Sequence, residues 1–292
     1  MRFSRLGILV LVAFTILIGA NCSYYNRIVA RKNLVDGATA YKERKFEQAE
    51  ERFRKAVSID PEGKTLEGRT AQLFLARTLH SRFISNRKET QLAEDAIAQY
   101  QKTLATDTNE QSAFKAIANL MDNLGKGDEA LKWITERANN ESVKPEYRAE
   151  AFTSLAAKQY SCANDISDVE PVKKSVNKDG KDVYVFTKPE NPDDFNKLKE
   201  CTQKGMEFID KAIGLEKQAG IETDSVWSYK ANLVIQKMRI AEMEGNTAEK
   251  DTLKAEADKA KEKFTTLAAE KKKKEEEEEA RKKAEEEAAN KK

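Results

Sequence analysis

Between Lys45 and Pro61 the chain reads KFEQAEERFRKAVSIDP, and the spacing of its small and apolar residues restricts the fold more than any other feature. Phe46, Ala49, Phe53, Ala56, Val57 and Ile59 recur at intervals of three and four, which places them on one face of a helix. Pro61 cannot continue that helix, so the chain must turn after Asp60. Just upstream, LVDGATAYKERK predicts a second helix with Gly37 near its middle. Glycine inside a helix costs about 0.5–1 kcal/mol relative to alanine. It is tolerated best where a neighbouring helix approaches too closely for a side chain. One such pair is a weak signal; recurrence decides.

It recurs. AEDAIAQYQKTLATDT repeats the second helix with Ala96, Ile97, Tyr100 and Leu104, and its first helix carries Ala76. AFKAIANLMDNLGKGDEALKWI supplies both helices, with Ala118 and Ala130 spaced as Gly37 and Ala49 are. AEAFTSLAAKQY offers a first helix around Ala156, and CTQKGMEFIDKAIGLEK a second with Gly205, Ile209 and Ala212. VWSYKANLVIQK begins a fifth unit with Trp227 and Ala231. The pattern resembles the tetratricopeptide repeat, a helix–turn–helix unit of about 34 residues. The match runs through Gly37, Tyr41, Phe46, Ala49, Phe53, Ala56, Asp60 and Pro61. The resemblance implies an all-α solenoid of about five units (30–63, 69–108, 111–142, 146–217 and 224–268) in a body spanning 23–268. Composition agrees: 35% charged residues with 12 Gly and five Pro is helix-favouring and poor in the turn residues of an all-β protein. Three departures stand out. The second unit is expected to have an enlarged turn containing SRFISNRKETQ, and Arg137 replaces a small residue in the third. The last helix, after Gly245, lacks the small-residue pattern and reads as a polar cap.

The first 22 residues, MRFSRLGILVLVAFTILIGANC, place two arginines before an apolar run from Leu6 to Ala20. That is the layout of a secretory signal, and the run is short for a permanent span of about 20 residues. Gly19-Ala20-Asn21-Cys22 resembles a bacterial lipoprotein box, which implies lipidation of Cys22; Asn21 departs from the pattern's Gly, Ala or Ser. An uncleaved anchor and simple cleavage near Ala20 are the alternatives. Each places the body outside the cytoplasm, on the periplasmic side of the cell envelope.

Residues 164–192 form an insertion between the helices of the fourth unit. Within it, KKSVNKDGKDVYVF sets Asp179-Gly180 between Val176, Val183 and Val185, a strong signal for a two-residue hairpin turn in which both residues need positive φ. A lone hairpin is marginal in water, so it should pack on a helix through Val183, Val185 or Phe186. Cys162 ends one helix of this unit and Cys201 opens the next, so in an oxidising compartment they are expected to form a disulfide. Two unpaired buried thiols are the alternative. The tail, 269–292, alternates blocks of Lys and Glu four residues apart without an apolar stripe, which fits either a solvated helix or a disordered, helix-prone segment and excludes a coiled coil.

No phosphate loop, metal-ligand cluster or nucleophile elbow appears, and a single histidine, His80, has no partners at motif spacing, so no enzyme, cofactor or metal is expected. The net charge is +2, with Arg2 and Arg5 supplying two of the positives, which leaves no basic patch for nucleic acid. The resemblance implies instead a groove lined by the first helix of each unit, here carrying Tyr41, Lys42, Arg77, His80, Lys115, Asn119, Asp122, Tyr160 and Asn232. Lys115 and Asn119 resemble half of a clamp for a peptide's terminal carboxylate, but Ser154, Ser225 and Tyr229 occupy the matching places of the other half. Aromatic and polar groups in one groove suit a protein or peptide segment. The resulting expectation is a membrane-anchored, exported adaptor for a protein partner in envelope assembly or secretion. The alternative is a structural or cell-wall-associated spacer without a specific peptide ligand.

Overall fold

In a computed structural model the backbone is described from Arg5 to Asn290 and the side chains from 24 to 288. Among the described residues ten helices and one two-stranded hairpin follow in order: α1 (Arg5–Lys42), α2 (Phe46–Ile59), α3 (Leu66–Ser85), α4 (Thr90–Thr106), α5 (Gln111–Asn123), α6 (Gly127–Asn139), α7 (Pro145–Ser167), β1 (Lys173–Lys178), β2 (Lys181–Phe186), α8 (Pro192–Ala219), α9 (Asp224–Glu244) and α10 (Thr247–Asn290). The fold is all-α helical-hairpin repeat, with the small hairpin inserted and the tail largely helical. Two compact units divide it, Met1–Ala130 and Leu131–Lys292. Among the described residues no helix is long and apolar enough to cross a membrane. The side chain of Cys22, the expected lipidation site, lies outside them.

In the first unit, small residues set the helix spacing. A Cβ added at Gly37 would lie 2.7 Å from Cε1 of Phe53, so α1 and α2 meet at a distance only glycine permits there. Ala49, Phe53 and Ala56 form the buried stripe of α2, and the Phe53 ring stacks on Phe74 of α3 at 5.5 Å. The turn after α2 is organised by Asp60, which accepts from the backbone N–H of Lys64 and of Thr65 and from the Thr65 hydroxyl. Burial works to raise the Asp60 pKa, but the hydrogen bonds from Thr65, Lys64 and Gly63 outweigh it and hold the carboxyl below its usual value. Thr65 in turn caps α3 by accepting from the Gly68 N–H.

The enlarged turn expected in the second unit is not there. α3 runs through Ser85 and α4 begins at Thr90, so only four residues join them and the extra sequence is helix. The added turn of α3 is held by long-range contacts: Phe83 is buried, and Arg82 pairs with Glu47 and Glu50 of α2.

In the second unit α7 and α8 pack antiparallel, α9 packs on both, and α10 returns along α9. Gly205 lets α8 approach α9, since an added Cβ would fall 2.5 Å from Cδ2 of Leu233. The hairpin pairs Lys173 with Phe186 through Lys178 with Lys181, and Asp179 and Gly180 turn it with φ of 51° and 77°. Of the three residues expected to seat it, Phe186 does so. It packs against a cluster of Ala163, Val172, Phe195, Leu198, Cys201 and Met243, and the Arg239 guanidinium lies 4.5 Å over its ring. Val183 stays exposed. Arg137 is buried with its guanidinium 5.8 Å over the Tyr147 ring, an aromatic contact in place of the small-residue packing of other units. α10 buries Leu253, Ala257 and Ala260, then continues as an exposed charged helix.

Candidate functional site

On α3, Arg77, His80, Ser81 and Ile84 fall at i, i+3, i+4 and i+7, which a helix turns to a single face. That face meets the C-terminal end of α1 and one side of α4. The result is an open pocket of about 330 Å³ lined by Tyr41, Arg44 and Phe46, by Arg77, His80, Ser81, Ile84 and Ser85 of α3, and by Tyr100. Tyr41 is fixed from three sides. Its hydroxyl is 2.9 Å from Ser81 Oγ, and its ring makes edge contacts with Phe46 at 5.4 Å and Phe74 at 6.3 Å. Arg77 lies 5.4 Å over the Phe74 ring and donates to Ser112 Oγ at 3.0 Å. His80 Nδ1 is 3.4 Å from the Tyr100 hydroxyl, and the two rings meet edge to face at 6.1 Å.

The electrostatics of this pocket are one-sided. Arg44 and Arg77 are its cations and no carboxylate lines it. Burial lowers the His80 pKa, so the imidazole is neutral at pH 7. Burial likewise raises the Tyr100 phenol beyond the usual tyrosine range, with the Arg77 charge pulling the other way. The site therefore offers hydrogen-bonding hydroxyls, aromatic edges, one exposed aliphatic side chain (Ile84) and two guanidinium groups.

Tyr41, Arg77 and His80 are thus brought together. Lys42 is exposed at the end of α1 and does not line the pocket. Lys115, Asn119 and Asp122 lie exposed on α5, where Asn119 accepts from Asn123 Nδ2 at 3.0 Å. Other pocket residues lie outside the groove that the resemblance implied, Phe46 and Ser85 among them. Tyr100 belongs to a second helix and reads as core, Ile84 falls in the segment taken for a turn, and Arg44 sits in the α1–α2 turn at φ 60°.

In the second unit, Tyr160 meets Tyr229 edge to face at 6.2 Å and donates to Asn164 Oδ1 at 3.4 Å, while Asn232 is half-buried on α9. A separate cleft of about 580 Å³ lies between the start of α7, the α8–α9 turn and α10. Its lining is strongly acidic, including Glu146, Glu150, Glu222 and Asp224, and Lys271 of α10 already pairs with Asp224 at 3.3 Å. Glu216, buried at its floor, accepts from the Thr223 N–H at 3.1 Å, and burial raises its pKa despite that bond. Cys162 and Cys201 form a disulfide between α7 and α8, with Cα atoms 6.1 Å apart. Beside it runs a polar network. Ser167 donates to Gln236 Oε1 at 2.8 Å and accepts from Arg239 at 2.9 Å, and Arg239 faces Asp168 at 3.6 Å. Among the described residues no group of His, Cys, Asp or Glu is placed to hold a metal ion.

No family model matches the chain, and no curated protein matches it. Among solved structures it is similar to the MamA protein, at 14% identity over 82% of this chain and 94% of that one, with a TM-score of 0.43. It is similar to Pseudomonas aeruginosa pilF, at 15% identity over 84% of this chain and 99% of that one, with a TM-score of 0.33. A third similar structure is a tetratricopeptide repeat protein from Parabacteroides merdae, at 11% identity over 82% and 97%, with a TM-score of 0.35.

Proposed function

We propose that this chain is a non-enzymatic adaptor, exported and anchored to a membrane through its N-terminal segment, that grips a protein or peptide segment on the first-helix surface of its repeats. The observation that carries this reading is the convergence of Tyr41, Arg77, His80 and Ser81 with Arg44, Ile84 and Tyr100 in one open pocket. Two guanidinium groups without a lining carboxylate favour a segment bearing an acidic side chain or a terminal carboxylate. Ile84 and the aromatic edges favour an apolar neighbour beside it. The neutral His80 and the Tyr41–Ser81 hydroxyl pair present hydrogen-bonding atoms and no spare charge. Such mixtures of aromatic anchor and polar contact are typical of peptide recognition. Export is supported by the layout of residues 1–22 and is consistent with the Cys162–Cys201 bond, since disulfides persist mainly outside the cytoplasm.

The test is site-specific photo-cross-linking in intact cells from position 84, followed by identification of the captured partner. A parallel strain carries Tyr41→Phe, Arg77→Gln and Lys115→Gln together, with far-UV circular dichroism confirming its fold. Capture should fall at least tenfold in the triple variant. Capture that survives the triple change but disappears on deleting 270–292 would move the binding surface to the tail and refute the pocket.

A further inference from the structure

The two faces of the hairpin carry different chemistry. Side chains alternate along a strand, so Lys174, Val176 and Lys178 of β1 share one face with Lys181, Val183 and Val185 of β2, their cross-strand partners. Phe186, on the other face, is the residue seated on the helices. Asp182 lies on that second face as well, accepting from Asn177, and Asp179 sits in the turn. The Lys174 face is therefore a patch of three valines among three lysines, with no carboxylate of its own. Among the described residues none of those three lysines forms an ion pair.

The 580 Å³ cleft of the same unit is the complement of that patch. Tyr147, Ile221, Val226 and Leu267 give its lining an apolar part, and Ile221 is exposed there. Asp224 is engaged by Lys271 and Glu222 by Lys263, whereas among the described residues Glu146, Glu270 and Glu275 line the cleft without an ion pair. Patch and cleft stand at opposite ends of the same helices. The cleft lies at the starts of α7 and α9; the hairpin follows the end of α7, and the Phe186 N–H donates to Glu242 near the end of α9. From Asp224 to Glu242 the helix rises about 27 Å, at about 1.5 Å per residue. Strands of six residues span only about 20 Å. The hairpin cannot reach the cleft of its own chain.

We propose that the Lys174 face of the hairpin docks into the acidic cleft of a second copy of this chain. Lys174, Lys178 and Lys181 then meet Glu146, Glu270 and Glu275, and Val183 covers Ile221. Charge complementarity selects the second copy as the occupant. Every chain carries one patch and one cleft, and two chains can bring together what one chain holds apart. Because the contact joins unlike surfaces, each added copy leaves one patch and one cleft open, and copies add head to tail. The Tyr41–Arg77 pocket belongs to the first unit and takes no part in this contact. The self-association therefore stands or falls independently of the partner-binding reading above.

The full chain, made in intact cells as two differently tagged copies, tests this. Benzoylphenylalanine replaces Tyr184, an exposed aromatic residue beside Val183, in one copy, and its photo-cross-links to the other copy are mapped by mass spectrometry. They should fall within 146–153, 221–226 or 267–278. Carried by both copies, Lys174→Glu, Lys178→Glu and Lys181→Glu together should lower the yield at least ~fivefold, and so should Glu146→Lys, Glu270→Lys and Glu275→Lys together. Pairing a hairpin-reversed cross-linking copy with a cleft-reversed partner should restore the yield to within about twofold of the parent. That recovery also shows that both variants fold. Cross-links to a second copy outside the cleft overturn the proposal, and so does capture of other proteins alone. A loss that the mixed pair does not recover, with both variants folded by circular dichroism, overturns the charge pairing and the docking with it.

Discussion

Replacing Gly37 by alanine tests the packing that spaces the first two helices. The new Cβ would lie 2.7, 2.9 and 3.0 Å from three atoms of the Phe53 ring. That ring is fully buried and stacked on Phe74, so it has little room to slide. Overpacking of this kind costs about 1–3 kcal/mol. Alanine returns about 0.5–1 kcal/mol of helix propensity. The expected net loss is about 1–2 kcal/mol. Gly214, exposed in the C-terminal part of α8, supplies the opposite case, because an added Cβ there meets nothing within 4 Å. Gly214→Ala should therefore stabilise the protein by about 0.5–1 kcal/mol. Gly205→Ala should destabilise as Gly37→Ala does, since an added Cβ falls 2.5 Å from Cδ2 of the fully buried Leu233 and 3.2 Å from Cβ of Gln159. Urea titration followed by circular dichroism ranks the three. Hydrogen exchange should localise the Gly37 effect to α1–α2 peptides and leave α8 unchanged. A Gly37→Ala midpoint equal to or above the parent's, with Gly214→Ala no better, would refute the argument that helix approach selects glycine here.

Two further outcomes follow from the structure. Cys162→Ser with Cys201→Ser removes a link across 39 residues and should cost about 4 kcal/mol in the chain-entropy treatment, read as a lower urea midpoint under non-reducing conditions and no change when the parent is reduced first. His80, whose pKa is lowered by burial, contributes stability that is present above about pH 6.5 and lost as pH falls through its folded value. His80→Gln should therefore lose less thermal stability than the parent between pH 7.5 and 5, and an equal loss in both would show that His80 does not carry the effect.

What was legible in the sequence depends on how local the determining contacts are. Gly37, Ala49 and Ala56 announce close helix approach because helical spacing alone puts them on one face, and Asp179-Gly180 announces its turn because two adjacent residues must take positive φ. The length of α3 was not legible. SRFISNRKETQ contains residues at home in turns, yet Arg82 is held by Glu47 and Glu50, more than thirty positions away, and those pairs keep the helix going to Ser85. The same limit hides the polar network of the second unit, where Ser167 and Gln236 are 69 positions apart and only their shared burial makes them partners. It also divides the candidate pocket. Arg77, His80 and Ser81 are readable from helical register, whereas Tyr100 enters from another helix and Arg44 from a turn. The charge character of the site resides partly in those residues. Arg44 doubles its cationic groups, and the burial shared by His80 and Tyr100 keeps both neutral, so preference for an acidic segment becomes an inference only once the four helices are assembled.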